Sequence, residues 1–222
     1  MTVVPPAAGG RPLRSFIAIA LADPARSAVE AYVAQLRRAI DSVAWTPPEN
    51  LHLTLKFLGD VMPARLESLA VRVAEIAAAQ TPFVMTVAGV GAFPSVRCPR
   101  VLWIGVAAPA VGSLAAAVDL ACTAEGFAPE TRPFHPHLTL GRVRQARLSD
   151  RGRPKLERGV PGMRRQRRED PALVFAALDR DQERAFGVSP VDALGLFRSE
   201  LGPVGARHTV LARWPFAGDA GC

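Results

Sequence analysis

The chain has 222 residues, 49% of them hydrophobic, enough to bury a sizeable core as one domain or two small lobes. Its net charge of +7 is uneven: eleven Lys/Arg against Asp150 and Glu157 give the stretch from Arg142 to Arg168 a charge of +9, leaving −2 elsewhere. No apolar run is long enough to span a bilayer, and Cys98, Cys122 and Cys222 lack Cys-x-x-Cys spacing, which argues against a disulfide frame or zinc site and for the reducing cytoplasm.

Met1 to Pro12 is rich in Pro and Gly and is expected to be a disordered tail ahead of one folded domain over 13–217. Ser15 to Leu21 reads as a buried strand; the apolar run is short for a secretory leader and meets Asp23-Pro24 at once. Asp23 as cap, Pro24 in the first turn, and Val29, Val33, Leu36 and Ile40 at helical spacing predict a helix to about Ile40. Trp45-Thr46-Pro47-Pro48 is a rigid turn, and Leu51 to Leu58 a strand. A second helix is predicted over Pro63–Ala79, then paired strands over Phe83–Phe93 and Val101–Val106, then a third helix over Val111–Ala124. Phe134 to Val143 is another strand. The segment from Arg147 to Asp170 is too polar and too rich in Gly and Pro to pack, so it reads as a loop. Pro171 to Arg184 is predicted helical, and Val188–Phe197 and Arg207–Phe216 are the last strands.

Two of the four histidines head the same tetrapeptide, His52-Leu53-Thr54-Leu55 and His137-Leu138-Thr139-Leu140. Side chains alternate along a strand, so each copy sets an imidazole and a hydroxyl on one face and two leucines on the other. A second echo follows each motif, Gly91-Ala92-Phe93-Pro94-Ser95 and Gly195-Leu196-Phe197-Arg198-Ser199. The chain therefore reads as α+β: two pseudo-repeated lobes, each with a mainly antiparallel sheet and helices, and a cleft between them. Most of the extra length of the second half is expected in the basic stretch.

An imidazole titrates near neutrality and can act as acid or base. Two of them suit an in-line displacement at phosphorus, one deprotonating the nucleophile and the other protonating the leaving oxygen. Such a pair implies a bell-shaped pH profile around neutrality. The two threonine hydroxyls suit the non-bridging phosphate oxygens. For a single copy, a structural His and a strand-forming Thr would be the simpler reading; the duplication reverses that preference. His135 and His137 share a face and could chelate a metal, but no Asp, Glu or Cys is nearby to complete a site. His208 lacks the His-x-Thr register and reads as a structural or cleft-edge residue. Phe57 and Arg142 each follow their motif His by five positions. Strict alternation puts them on the opposite face, Phe57 in the core and Arg142 on the surface, unless a bulge near Gly141 re-aims the strand.

The stretch Trp45-Thr46-Pro47-Pro48-Glu49-Asn50-Leu51-His52-Leu53-Thr54-Leu55-Lys56-Phe57-Leu58-Gly59, with Pro136-His137-Leu138-Thr139-Leu140-Gly141-Arg142 and Phe197-Arg198-Ser199-Glu200-Leu201, resembles the 2H phosphoesterase superfamily. The match is to its LigT-like RNA 2′,3′-cyclic phosphodiesterases, long called 2′,5′-RNA ligases, over about Arg11 to Phe216. The resemblance implies a bilobal fold and hydrolysis of an RNA terminal 2′,3′-cyclic phosphate to a 2′-phosphate, with no metal or other cofactor, by a monomer with RNA as partner and no membrane association. It implies His52 as proton donor, His137 as proton acceptor, Thr54, Thr139 and Arg142 as phosphate contacts, and Phe57 packed against the terminal base. The Arg-rich segment is longer than usual for the family, and His208 stands where an aromatic such as Tyr is expected. Other readings are a different cyclic phosphodiester such as ADP-ribose 1″,2″-cyclic phosphate, reversible 2′,5′ ligation, or a non-catalytic RNA-binding protein.

The basic segment is either a solvated loop or an attractor of polyanions such as RNA. Deleting 147–168 is expected to weaken oligonucleotide binding and flatten its salt dependence by about 0.7 in log–log slope per lost phosphate contact. Turnover of a cyclic mononucleotide should hardly change. Unaltered oligonucleotide affinity and salt slope would identify a solvated loop.

Overall fold

The computed structural model describes residues 10–144, 171–202 and 205–218; most of the expected tail and the Arg-rich loop 147–170 lie outside the described residues. In chain order the elements are β1 (Leu13–Ala20), α1 (Ala25–Ala39), β2 (Val43–Trp45), β3 (His52–Val61), α2 (Pro63–Ala79), β4 (Phe83–Ser95), β5 (Cys98–Ala107), α3 (Pro109–Ala124), β6 (His137–Val143), α4 (Pro171–Arg180), β7 (Ala185–Val191), β8 (Ala193–Gly202) and β9 (Gly205–Pro215). α2 starts at Pro63 as predicted; α3 starts at Pro109, two residues before the predicted Val111, and α1 starts at Ala25 with Pro24, not Asp23, at its cap. Pro63 and Pro109 open α2 and α3, where a missing N–H costs nothing. At α1 the Asp23 carboxylate accepts the Ser27 N–H and hydroxyl.

All strand pairs among the described residues are antiparallel, in the order β7-β4-β5-β6-β3-β1-β8-β9, with β2 paired to β6. The order is a mirror about its centre: β6-β5-β4-β7 forms one lobe and β3-β1-β8-β9 the other. The two motif strands, β3 and β6, are the inner edges. They meet at one register pair, Leu53 with Leu138. Both leucines are fully buried, each stabilising the fold by about 2 kcal/mol through lost apolar surface. Beyond that contact β3 leaves, and β2 takes the vacated edge of β6 at Gly141 to Val143.

The Gly-x-Phe-x-Ser echo falls on equivalent strands, β4 and β8, each third from the centre. The helices cross over. α1, which follows β1, packs on β7 and β2 of the other lobe, and α3, which follows β5, packs on β3 and on α2. α2 also covers β8 and β9, and α4 covers β4.

Beyond shifts of a few residues at element ends, the structure departs from the predicted elements as follows. The run Val188–Phe197, predicted as one strand, is two strands in different lobes, β7 on β4 and β8 on β1. The chain changes lobes at Asp192, whose carboxylate accepts from Arg213 and whose carbonyl accepts the Phe216 N–H. The last helix stops at Arg180 because Asp181 to Glu183 turn, closed by the Arg184 N–H on the Asp181 carbonyl. The turn at Trp45 begins as β2, three residues long. The second motif strand starts at His137, after Pro136, rather than at Phe134. Among the described residues no helix is long and apolar enough to cross a membrane.

One buried cation ties β3 to α3. Lys56 is 6% exposed and donates to Asp119 at 2.5 Å and to the Ala128 carbonyl at 2.6 Å. Asp119 also accepts the Glu130 N–H, and its carboxyl is held below the usual range, first by the Lys56 hydrogen bond. Lys56→Ala leaves Asp119 and the carbonyl without their buried donor and is expected to cost about 3 kcal/mol of unfolding free energy, read from denaturant melts. A loss below about 0.5 kcal/mol would reduce the pair to a surface contact.

Candidate active site

Each motif strand carries a bulge at the same place. On β3 the partners of Ile17 and Ala18 are Lys56 and Thr54, so Leu55 is the extra residue. On β6 the partners of Leu102 and Trp103 are Gly141 and Thr139, so Leu140 is the extra residue. Burial follows: in both strands the His and Thr are half-buried, the next two residues after Thr are buried in succession, and the following one is exposed. One extra residue reverses the alternation. Phe57 and Arg142 thereby return to the face of the His and Thr, which corrects the core position that strict alternation gives Phe57; its exposure is 48%. The bulge precedes Gly141 and has its counterpart in the first motif, where Lys56 replaces glycine. Gly141 serves another purpose: a Cβ there would lie 2.6 Å from Val43 and 2.9 Å from the Ala44 carbonyl, so glycine lets β2 dock.

The single register pair sets the four motif side chains together. On antiparallel strands, one step either side of Leu53 and Leu138 brings His52 level with Thr139 and Thr54 level with His137. Both imidazoles are held alike. His52 Nδ1 lies 2.7 Å from the Asn50 carbonyl, and His137 Nδ1 lies 2.7 Å from the His135 carbonyl. A carbonyl can only accept, so Nδ1 carries the proton in each ring. Nε2 is then the nitrogen free to exchange a proton with a bound molecule.

Burial lowers the pKa of both rings. His52 falls to about 4, mainly through desolvation, with His208 and His137 adding repulsion and the Asn50 carbonyl opposing. His137 is lowered by desolvation first, with smaller contributions from His135 and Arg142. Both shifts favour the neutral ring in the free protein.

Aromatic rings wall each imidazole. Phe16 stacks on His52 at 4.6 Å, Phe197 lies beyond at 6.2 Å, and His208 meets His52 edge-on at 5.2 Å. In the other lobe Phe93 meets His137 edge-on at 5.0 Å, and Trp103 and His135 pack beside it. The two echo glycines make room for these rings. A Cβ at Gly91 would sit 2.3 Å from Trp103, and one at Gly195 would sit 2.5 Å from Phe197. The echo thus marks the walls of the site. His208, read as structural or cleft-edge, lines the cleft against His52. His135 and His137 stand 6.1 Å apart between ring centres. Among the described residues no group of three or more His, Cys, Asp or Glu is placed to hold a metal ion.

The two lobes differ where they face a ligand. Phe57 presents an apolar ring backed by the Arg14 guanidinium at 4.6 Å. Arg142, its counterpart, presents a positive charge. Two imidazoles, two hydroxyls, one cation and one exposed ring suit an anionic centre carrying a flat group on one side.

A family model described as LigT like Phosphoesterase matches residues 19–103 and 104–169. The RNA 2′,3′-cyclic phosphodiesterase of Methanothermobacter thermautotrophicus is 38% identical over 140 residues, which cover 63% of this chain and 76% of that protein. A Geobacillus stearothermophilus protein of the same name is 36% identical over 128 residues, 57% of this chain and 41% of the relative, so the match spans about two fifths of that protein's length. Among solved structures, the TT0787 protein of Thermus thermophilus superposes with a TM-score of 0.70 at 26% identity, covering 93% of this chain and all of that one.

Proposed function

The chain belongs to the LigT like phosphoesterase family, and on that premise we propose that it hydrolyses the terminal 2′,3′-cyclic phosphate of RNA to a 2′-phosphate, without a metal ion. The observation that carries this reading is the matched pair of imidazoles, each locked through Nδ1 to the carbonyl two residues before it. Relatives named RNA 2′,3′-cyclic phosphodiesterase support the substrate class.

In this mechanism His137, neutral at Nε2, takes a proton from water as the water oxygen bonds to phosphorus. The bond from phosphorus to the 3′ oxygen breaks, and His52, as imidazolium, gives that oxygen its Nε2 proton. The Thr54 and Thr139 hydroxyls donate to the non-bridging oxygens, and Arg142 balances their charge. Phe57 packs against the terminal base. The free protein holds His52 neutral; the bound phosphate, an anion within a few ångströms, raises that pKa and favours the imidazolium.

Replacing either His52 or His137 by Ala is expected to lower turnover of a 2′,3′-cyclic nucleotide by at least about a hundredfold, the scale of losing a general acid or base. Near-normal turnover in a folded variant would end the two-histidine mechanism. Turnover should persist in EDTA; loss restored by zinc or manganese would replace the metal-free step.

The pH profile should be bell-shaped, with different positions for its two forms. kcat/KM reads the free protein, where burial depresses both imidazoles, so its limbs should lie below the ordinary His value of about 6.5. A lowered pKa keeps each ring neutral until the pH falls further. kcat reads the complex, where phosphate raises the pKa of both rings, so its bell should sit at higher pH. Coincident bells would show that the phosphate charge does not reach the imidazoles.

A further inference from the structure

Asn50 stands two residues before His52, as His135 stands two before His137, and each lends its carbonyl to the imidazole that follows. Their backbones are anchored alike: the Leu21 N–H donates to the Leu51 carbonyl, and the Val106 N–H to the Pro136 carbonyl. The side chains are not alike. His135 is exposed and packs its ring on Trp103 and Phe93. Asn50 is 6% exposed, and its amide spans to a strand more than 150 residues away in the chain. Its Nδ2 donates to the Ala206 carbonyl at 2.6 Å, and its Oδ1 accepts the His208 N–H at 3.3 Å. Its own N–H donates to the Pro47 carbonyl at 2.9 Å.

We infer that Asn50 is a positioning residue: its amide clamps the start of β9, and this clamp fixes the carbonyl that holds His52 in one tautomer and the His208 ring that closes over the edge of His52. The inference rests on the reading that His52 transfers a proton from Nε2. A buried amide with both ends bonded to backbone cannot rotate without leaving a donor or an acceptor unpaired. The Asn50 carbonyl, three bonds from that rigid amide's Cβ, is fixed with it. The Asn50 carbonyl accepts from Nδ1 both in the imidazolium and in the neutral ring left once Nε2 has given its proton; a ring that loses this partner loses support for the imidazolium, can settle with its single proton on either nitrogen, and no longer aims Nε2 at the leaving oxygen. The first motif, which holds the proposed donor, is therefore supported across the sheet, while the second is supported by aromatic packing.

The test uses the full chain with Asn50→Ala, and with Asn50→Asp as an isosteric variant that keeps the acceptor for the His208 N–H but sets an oxygen against the Ala206 carbonyl. Nitrogen-15 NMR of the imidazoles, recorded without substrate, should show His52 leaving its single Nδ1–H tautomer for a mixture in both variants, while His137 stays as in the wild type. Turnover of a 2′,3′-cyclic mononucleotide should fall about tenfold or more in kcat, with KM changing less than about threefold. A folded variant with wild-type His52 tautomer and kcat would overturn the inference, and so would equal tautomer changes at His52 and His137. Should the wild type itself fail to turn over the cyclic nucleotide, the functional reading falls, while the tautomer measurement still decides the role of Asn50.

Discussion

Two imidazoles from opposite halves of the chain must meet at one point, and the backbone contact between Leu53 and Leu138 is what brings them there. It is the one register pair joining β3 to β6. An antiparallel pair has a local twofold axis, so whatever stands one step from the contact on one strand faces its counterpart on the other. The repeat in the sequence and the symmetry of the pair therefore act together. His-Leu-Thr on each strand, centred on Leu, gives a His and a Thr from each lobe around one axis. The leucines behind are fully buried and make the register costly to slip, because a shift by one residue would turn the imidazoles into the core.

Much of this was legible because it rests on local rules. The period-two pattern of each motif, the proline-opened helices and the turn-bounded apolar runs predict elements at close to their observed places. The faces of His52, Thr54, His137 and Thr139 follow from alternation alone. Phe57 and Arg142 were not settled by the same rule, since a bulge is an insertion in a ladder and shows only when the partner strand is known. Leu55 and Leu140 carry no residue-level sign of it. The paired burial of Leu55 with Lys56, and of Leu140 with Gly141, shows it at once.

What stayed illegible depends on contacts distant in sequence. Val188 to Phe197 is continuous in hydrophobicity, and no local feature marks Asp192 as the point where the chain leaves one lobe for the other. Asn50 carries no local sign of its role, which shows only when β9 is set beside it. His208 has no motif, yet the register of Ser199 with His208 puts its ring against His52. The Gly-x-Phe-x-Ser echo was visible as a repeat, but its meaning was steric. Each glycine lies under an aromatic ring that walls the cleft, a fact that needs the sheet to be assembled.

The crossing helices have a consequence for how the chain reaches this state. α1 is made early yet covers β7, and α3 leaves its own lobe to cover β3. β1 pairs with β8, which lies near the far end of the chain. Neither lobe of the sheet can be completed while one half of the polypeptide is alone, because part of its cover belongs to the other half. Contacts of such sequence separation must close large loops before they return any free energy, which raises contact order and slows the search. A polypeptide emerging from the ribosome would hold apolar sheet faces bare until its last strands arrive, and the interval before β8 and β9 join is when a second nascent copy could offer the missing strands instead.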